Sequence, residues 1–96
     1  MAKYMTLGRF RDELAIFTQI EERLAGAHKA LAAVNGKLEA VYYTLGPYDF
    51  MSIIDVPDNQ SAAAFLAWYA KLGVAETTTM PAFSAAEMQQ VAGRMK

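Results

Sequence analysis

No cysteine occurs among the 96 residues, so a disulfide framework, a thiol nucleophile, an iron–sulfur cluster and a cysteine zinc site are all excluded. Histidine is nearly absent as well: His28 stands alone, and a single imidazole without thiols argues against an all-protein metal site. No Gly-rich phosphate loop, Ser-His-Asp arrangement or paired-carboxylate motif is present. Charge of one sign is also missing. Nine basic residues face ten acidic ones for a net charge of −1, and neither half of the chain departs far from balance. A nucleic-acid backbone or an anionic membrane is therefore not an expected partner. The longest uncharged apolar run, Ala62 to Ala70, falls far short of the ~20 residues that span a bilayer. At the N-terminus, Gly8, Arg9 and Arg11 interrupt the sequence before a secretory apolar stretch of ~7 to 15 residues forms. These absences lead us to expect a soluble, cytoplasmic protein with no cofactor.

What is present is a core. An apolar content of 54% against 20% charge lies on the globular side of the disorder boundary, and a chain of this length has interior enough for one domain only. Residues 3 to 10 (KYMTLGRF) read as a first strand. Thr18 and Glu21 have capping-box spacing, and Ile20, Leu24, Ala27, Leu31 and Val34 follow at steps of three and four, which predicts an amphipathic helix. Asn35-Gly36 stops it. Strand composition returns in 37 to 45 (KLEAVYYTL) and again in 50 to 56 (FMSIIDV), with the turn formers Gly46-Pro47-Tyr48-Asp49 between them, so the two form a hairpin.

Asp58 or Asn59 can cap a second helix that carries Ala62, Phe65, Leu66, Tyr69 and Leu72 on one face and ends at Gly73. Residues 74 to 83 (VAETTTMPAF) read as a last strand, with Pro81 restricting it to an edge or a bulge. Ser84 and Glu87 form a capping box for a short final helix over 85 to 95. The order βαββαβ plus a C-terminal helix implies an α+β, ferredoxin-like antiparallel sheet with both crossover helices on one side.

Pairing Leu45 with Phe50 places Tyr43 opposite Ser52 and Val41 opposite Ile54, all on the face under the helices. The other face then carries Leu38, Ala40, Tyr42 and Thr44 with Met51, Ile53 and Asp55. Two helices cover one side of a sheet, so this partly apolar face would stay bare in a monomer. The expected solution is a homodimer packed sheet to sheet, a dimeric α/β barrel.

The stretch LGPYDF (Leu45 to Phe50), the preceding Tyr43-Thr44-Leu45, the Glu76-Thr77 segment and Ala82-Phe83 resemble the GYD domain family, named for a Gly-x-Tyr-Asp turn between two strands. The resemblance extends from residue 3 to about residue 90. It implies the dimeric α/β-barrel fold and a homodimer more firmly than any chemistry. The related superfamily includes cofactor-free monooxygenases, haem-degrading oxygenases, isomerases and ligand-binding modules, so an oxygenase reading is an analogy of fold.

Each candidate site residue has a plain structural alternative. His28 flanks the first helix's apolar stripe, where it can serve as a general base or axial haem ligand, or simply meet solvent. Tyr48 and Asp49 can form a polar mouth to a pocket, or the Asp49 carboxylate can bond backbone N–H groups while Tyr48 covers the hairpin end. Tyr43, Phe65, Trp68 and Tyr69 can line an aromatic pocket between the second helix and the sheet, or be core; Trp68, off the main stripe, suits a pocket wall or an interface. Arg9 and Arg11 can bind an anion or guard a strand edge. Two functions follow. One is a cofactor-free oxygenase or isomerase acting on a small aromatic molecule, with His28 as base and the tyrosines positioning. The other is a non-catalytic small-molecule-binding or assembly module.

Overall fold

The computed structural model describes residues 2–11, 18–73 and 75–95. β1 (Ala2–Phe10) leads to α1 (Ile20–Ala32), then β2 (Lys37–Tyr43), β3 (Phe50–Val56), α2 (Asn59–Leu72), β4 (Ala75–Ala82) and α3 (Ala85–Gly93). The strands form one sheet in the order β2-β3-β1-β4, antiparallel throughout. This is the ferredoxin-like α+β arrangement that the pattern of elements implies. Val74, the expected start of the last strand, lies outside the described residues.

Local chemistry explains most boundaries. The Asp58 carboxylate accepts from the Ser61 backbone N–H at 2.8 Å, which satisfies a donor that the first turn of α2 leaves open and holds the Asp58 carboxyl below its ordinary pKa. Ser84 and Glu87 form a full capping box at the start of α3, with bonds of 3.1 and 2.9 Å. α1 departs from expectation at its start. Its N-cap is Gln19, whose side chain makes no capping bond; the carboxamide oxygen instead accepts from Arg23 Nη2 at 3.4 Å. The N-cap thus falls one residue after the expected Thr18. At the other end Asn35 takes a positive φ of 60°, and Gly36 N–H donates to the Leu31 carbonyl at 2.8 Å.

The core lies between the two crossover helices and one face of the sheet. Leu31, Ile54 and Val56 have no exposed surface, and Tyr4, Ala27, Ala62 and Phe65 are buried around them. The Tyr4 hydroxyl donates to Asn59 Oδ1, which ties β1 to the start of α2. Thr6, buried among these, shares a 2.9 Å hydroxyl bond with Thr79 of β4, so the polar atom does not go unsatisfied.

The hairpin presents the expected face to the helices, but in a different register. Tyr43 pairs with Phe50, Val41 with Ser52 and Leu38 with Ile54, a slip of two residues from the expected Leu45–Phe50 pairing. A two-residue slip preserves the face, so Tyr43, Val41, Phe50, Ser52 and Ile54 all still lie under the helices. The cause is a wider loop. Thr44 N–H donates to the Asp49 carbonyl at 2.8 Å, its hydroxyl donates to the Tyr48 carbonyl at 2.7 Å, and Leu45 is left wholly exposed. Gly46, at φ 118°, supplies the backbone geometry that side-chain-bearing residues avoid.

A second correction concerns Leu38. Leu38 and Ala40 pair with the adjacent residues Ile54 and Ile53, so Glu39 is extra and forms a β-bulge. The bulge breaks the alternation, turns Leu38 toward the core and frees Glu39 to reach Lys3 at 2.8 Å. Hydrogen bonding between them raises the Lys3 pKa and lowers that of Glu39. Both groups are exposed, so the pair contributes little to stability.

The sheet's other face has no covering layer among the described residues. By register it carries Met5, Leu7, Met51, Ile53, Ala40, Tyr42 and Met80, with Tyr42 62% and Met80 38% exposed. α3 is equally unaccompanied. It has no buried residue; Met88 and Val91 within it, and Phe83 and Met95 on either side of it, are exposed.

Candidate functional site

The space between helices and sheet is neither a large chamber nor completely filled. A cavity of about 40 Å³ is lined by Leu24, Ala27 and Arg23 of α1, by Phe65 and Tyr69 of α2, and by Phe10, Leu38, Val41, Tyr43, Phe50 and Ser52 of the sheet. Room for one water needs roughly 10 to 15 Å³, so the enclosed part takes a few waters or a headgroup of similar size. It does not take a whole aromatic ring, so a small aromatic molecule held entirely between helices and sheet, as expected, does not fit the enclosed space. Tyr43, 44% exposed, sits at the rim, whereas Phe50, Ser52 and Phe65 are buried and form the floor.

Aromatic packing builds the walls. Phe50 lies 5.0 Å from Phe10 and 6.0 Å from Tyr69, centroid to centroid, and Phe65 stacks on Trp68 at 5.6 Å while meeting Tyr69 edge-on. Gly8 makes this possible. It sits opposite Phe50 in the ladder, and a Cβ there would clash with Cε1 and Cζ of the Phe50 ring. The sheet thus has a dent where the ring fits.

Arg23 is the residue that sequence reasoning missed. Its Cζ lies 5.1 Å from the Phe10 ring centroid, within cation–π range. Its Nη1 is buried with no hydrogen-bond partner among the described residues, and a buried donor left unsatisfied is costly. Burial raises the Tyr69 pKa, a rise that the Arg23 charge opposes and Tyr43 adds to. Tyr69 thus remains a hydroxyl at neutral pH.

The five residues singled out from the sequence do not converge. Tyr43 lines the cavity. Trp68 backs it through Phe65 and Tyr69 but faces a separate groove with Gly26 and Leu72. His28 is on the exposed side of α1, along a shallow depression that shares Leu24, Leu38 and Val41 with the cavity, but His28 itself does not line the cavity. Tyr48 is half-buried at the hairpin end. Asp49 anchors that end: its N–H donates to the Gly8 carbonyl at 2.8 Å, and its carboxylate accepts from the Phe10 N–H at 2.7 Å. The side chain thereby continues the β1–β3 ladder one step beyond the paired residues. Asp49 also borders an open polar cleft with Arg9, Arg11 and Glu76, where two carboxylates offset two guanidinium groups. Among the described residues no group of three or more His, Asp or Glu side chains is placed to hold a metal, and no helix is long and apolar enough to cross a membrane.

The Asp49 bond has a measurable consequence. Asp49→Ala leaves the Phe10 N–H without its acceptor and is expected to cost about 1 to 3 kcal/mol in chemical denaturation. Asp49→Asn, which keeps an acceptor oxygen, is expected to cost less than half as much. Equal losses would show that the carboxylate's charge, and not its acceptor geometry, holds the turn.

Comparison with known proteins places the molecule. The GYD domain family matches residues 4–92. Among solved structures, FFRP-DM1 is similar with a TM-score of 0.63 at 16% identity, covering 86% of this chain and 100% of that one. TTHA0845 from Thermus thermophilus gives 0.55 at 24% identity over 88% and 96% of the two chains. The 30S ribosomal protein S6 from Thermotoga maritima gives 0.57 at 14% over 97% and 98%. At these identities the likeness is one of fold. Among curated proteins none matches the sequence.

Proposed function

The chain belongs to the GYD domain family, and we propose that it is a homodimeric module that binds a small aromatic molecule at the helix–sheet cavity. One observation carries this reading: the cavity joins an aromatic wall of Phe10, Phe50, Phe65 and Tyr69 to the polar groups of Arg23, Tyr43 and Ser52, the mixture that small-molecule sites use for affinity and orientation. The ligand's narrow polar end enters the enclosed part, and its ring rests at the rim against Tyr43. The oxygenase or isomerase reading, with His28 as base, would need an imidazole within reach of the ligand. His28 does not line the cavity, so binding without catalysis is the better supported of the two.

The dimer belongs to the same reading. A second copy suits the open sheet face because that face carries charges of both signs at its edges, with Lys3, Lys37 and Arg9 beside Glu39, Asp55 and Glu76, around Met5, Leu7, Met51 and Ile53. A face of this kind can match itself across a two-fold axis. The exposed side of α3 gives each subunit an apolar arm to lay on the other.

Trp68 is the only tryptophan and stacks on a wall residue, so its fluorescence reports ligand entry. Titration with benzamide and benzoate is expected to give a saturable change for at least one of them. Ala27→Val, which places two methyl groups at a buried wall position, is expected to weaken that response at least tenfold while leaving the fold intact. An unchanged titration in Ala27→Val would place binding elsewhere.

A further inference from the structure

Among the described residues, the cavity's one charge has no counterpart. Arg23 brings a guanidinium to an otherwise largely apolar lining, one of its nitrogens is buried and unpartnered among the described residues, and the other bonds only weakly, at 3.4 Å, to an amide oxygen. Among the described residues no carboxylate lines the cavity. A guanidinium is permanently charged and presents its N–H groups in a planar fork that suits a carboxylate. In a site shielded from water that pairing is stronger than a neutral hydrogen bond.

We propose that the molecule bound in this cavity is a small aromatic acid, with its carboxylate in the enclosed part against Arg23 and its ring at the aromatic rim. This rests on the cavity being the ligand site, and it adds the ligand's chemical class. Size agrees with charge, since about 40 Å³ accommodates a carboxylate and excludes the ring behind it. Tyr69, whose hydroxyl pKa burial raises further, lines the same space. The Phe10 ring holds the guanidinium in place through its face. The polar cleft at Arg9 and Arg11 is a weaker candidate for an acid, because Asp49 and Glu76 share it.

Benzoate and benzamide have nearly the same shape and differ in charge, which makes them the probes. The intact protein is expected to bind benzoate about tenfold or more tightly than benzamide, by calorimetry and by Trp68 fluorescence. Arg23→Gln should remove that preference, chiefly by weakening benzoate, and Arg23→Lys should keep part of it. Circular dichroism confirms that each variant is folded. Equal affinities in the wild type, or a benzoate affinity that survives Arg23→Gln, would overturn the acid assignment and leave the cavity as a site for neutral aromatics. Binding of neither probe, with Ala27→Val indistinguishable from wild type, would overturn the cavity reading and the acid assignment together.

Discussion

Replacing Gly8 with alanine is expected to lower the melting temperature by about 4 to 24 °C. The added Cβ would occupy space that the Phe50 ring fills, and Phe50 cannot retreat freely because Phe10 and Tyr69 pack against it at 5.0 and 6.0 Å. Overpacking of this kind costs about 1 to 3 kcal/mol, occasionally more. In a domain of this size each kcal/mol lowers the melting temperature by about 4 to 8 °C. The small gain from removing a strand glycine does not offset it. A double-mutant cycle makes the cause visible. Phe50→Leu shortens the ring side, so Gly8→Ala should cost much less in that background than alone. Equal costs in both backgrounds would show that Gly8 is needed for some reason other than Phe50.

The second large effect is on assembly. Ile53→Lys should convert a species of twice the 10.6 kDa chain mass into monomers of reduced thermal stability, measured by light scattering at micromolar concentration. Ile53 is near the middle of the open face, on a central strand between Ala40 and Met5. Burying a side chain of that size is worth about 1.5 to 3 kcal/mol, and a buried unpaired ammonium would cost more than is gained. Lys29→Glu, on the solvent side of α1, is the control and should leave the mass unchanged. A wild-type mass near that of one chain would remove the dimer from the account.

Features set by neighbours along the chain were legible in the sequence. The caps at Asp58 and Ser84 are decided by bonds three residues long, and the stripe of Ala27 and Leu31 by helical period alone. The order of elements then follows, and with it the ferredoxin-like sheet. The bulge at Glu39 was not legible, because Lys37 to Tyr43 alternates no more clearly in one register than in another. Its position depends on Lys3 and Ile54, which are distant in sequence. The hairpin's wider loop has a related cause: Asp49 is drawn toward Gly8 and Phe10 of β1, a contact that the turn composition does not contain.

The site was less legible than the fold for the same reason. Arg23 and His28 both flank the apolar stripe of α1, and residue type favoured the histidine. Five positions apart, they point to different sides of the helix, Arg23 to the side with Phe10 and Tyr69, His28 to the exposed edge by β2. Only the packing of α1 against its neighbours decides which flank borders a cavity. The one available signal was a lone basic residue amid Ile20, Leu24 and Ala27 on a half-buried helix, and that pattern usually means a snorkelling side chain.

Amide shift mapping shows whether ligand enters between helices and sheet. With uniformly 15N-labelled protein titrated with benzoate, the largest shifts are expected at Ala27, Tyr43, Ser52, Phe65 and Tyr69. Shifts concentrated instead at Arg9, Arg11 and Glu76, with the cavity residues unmoved, would contradict entry there.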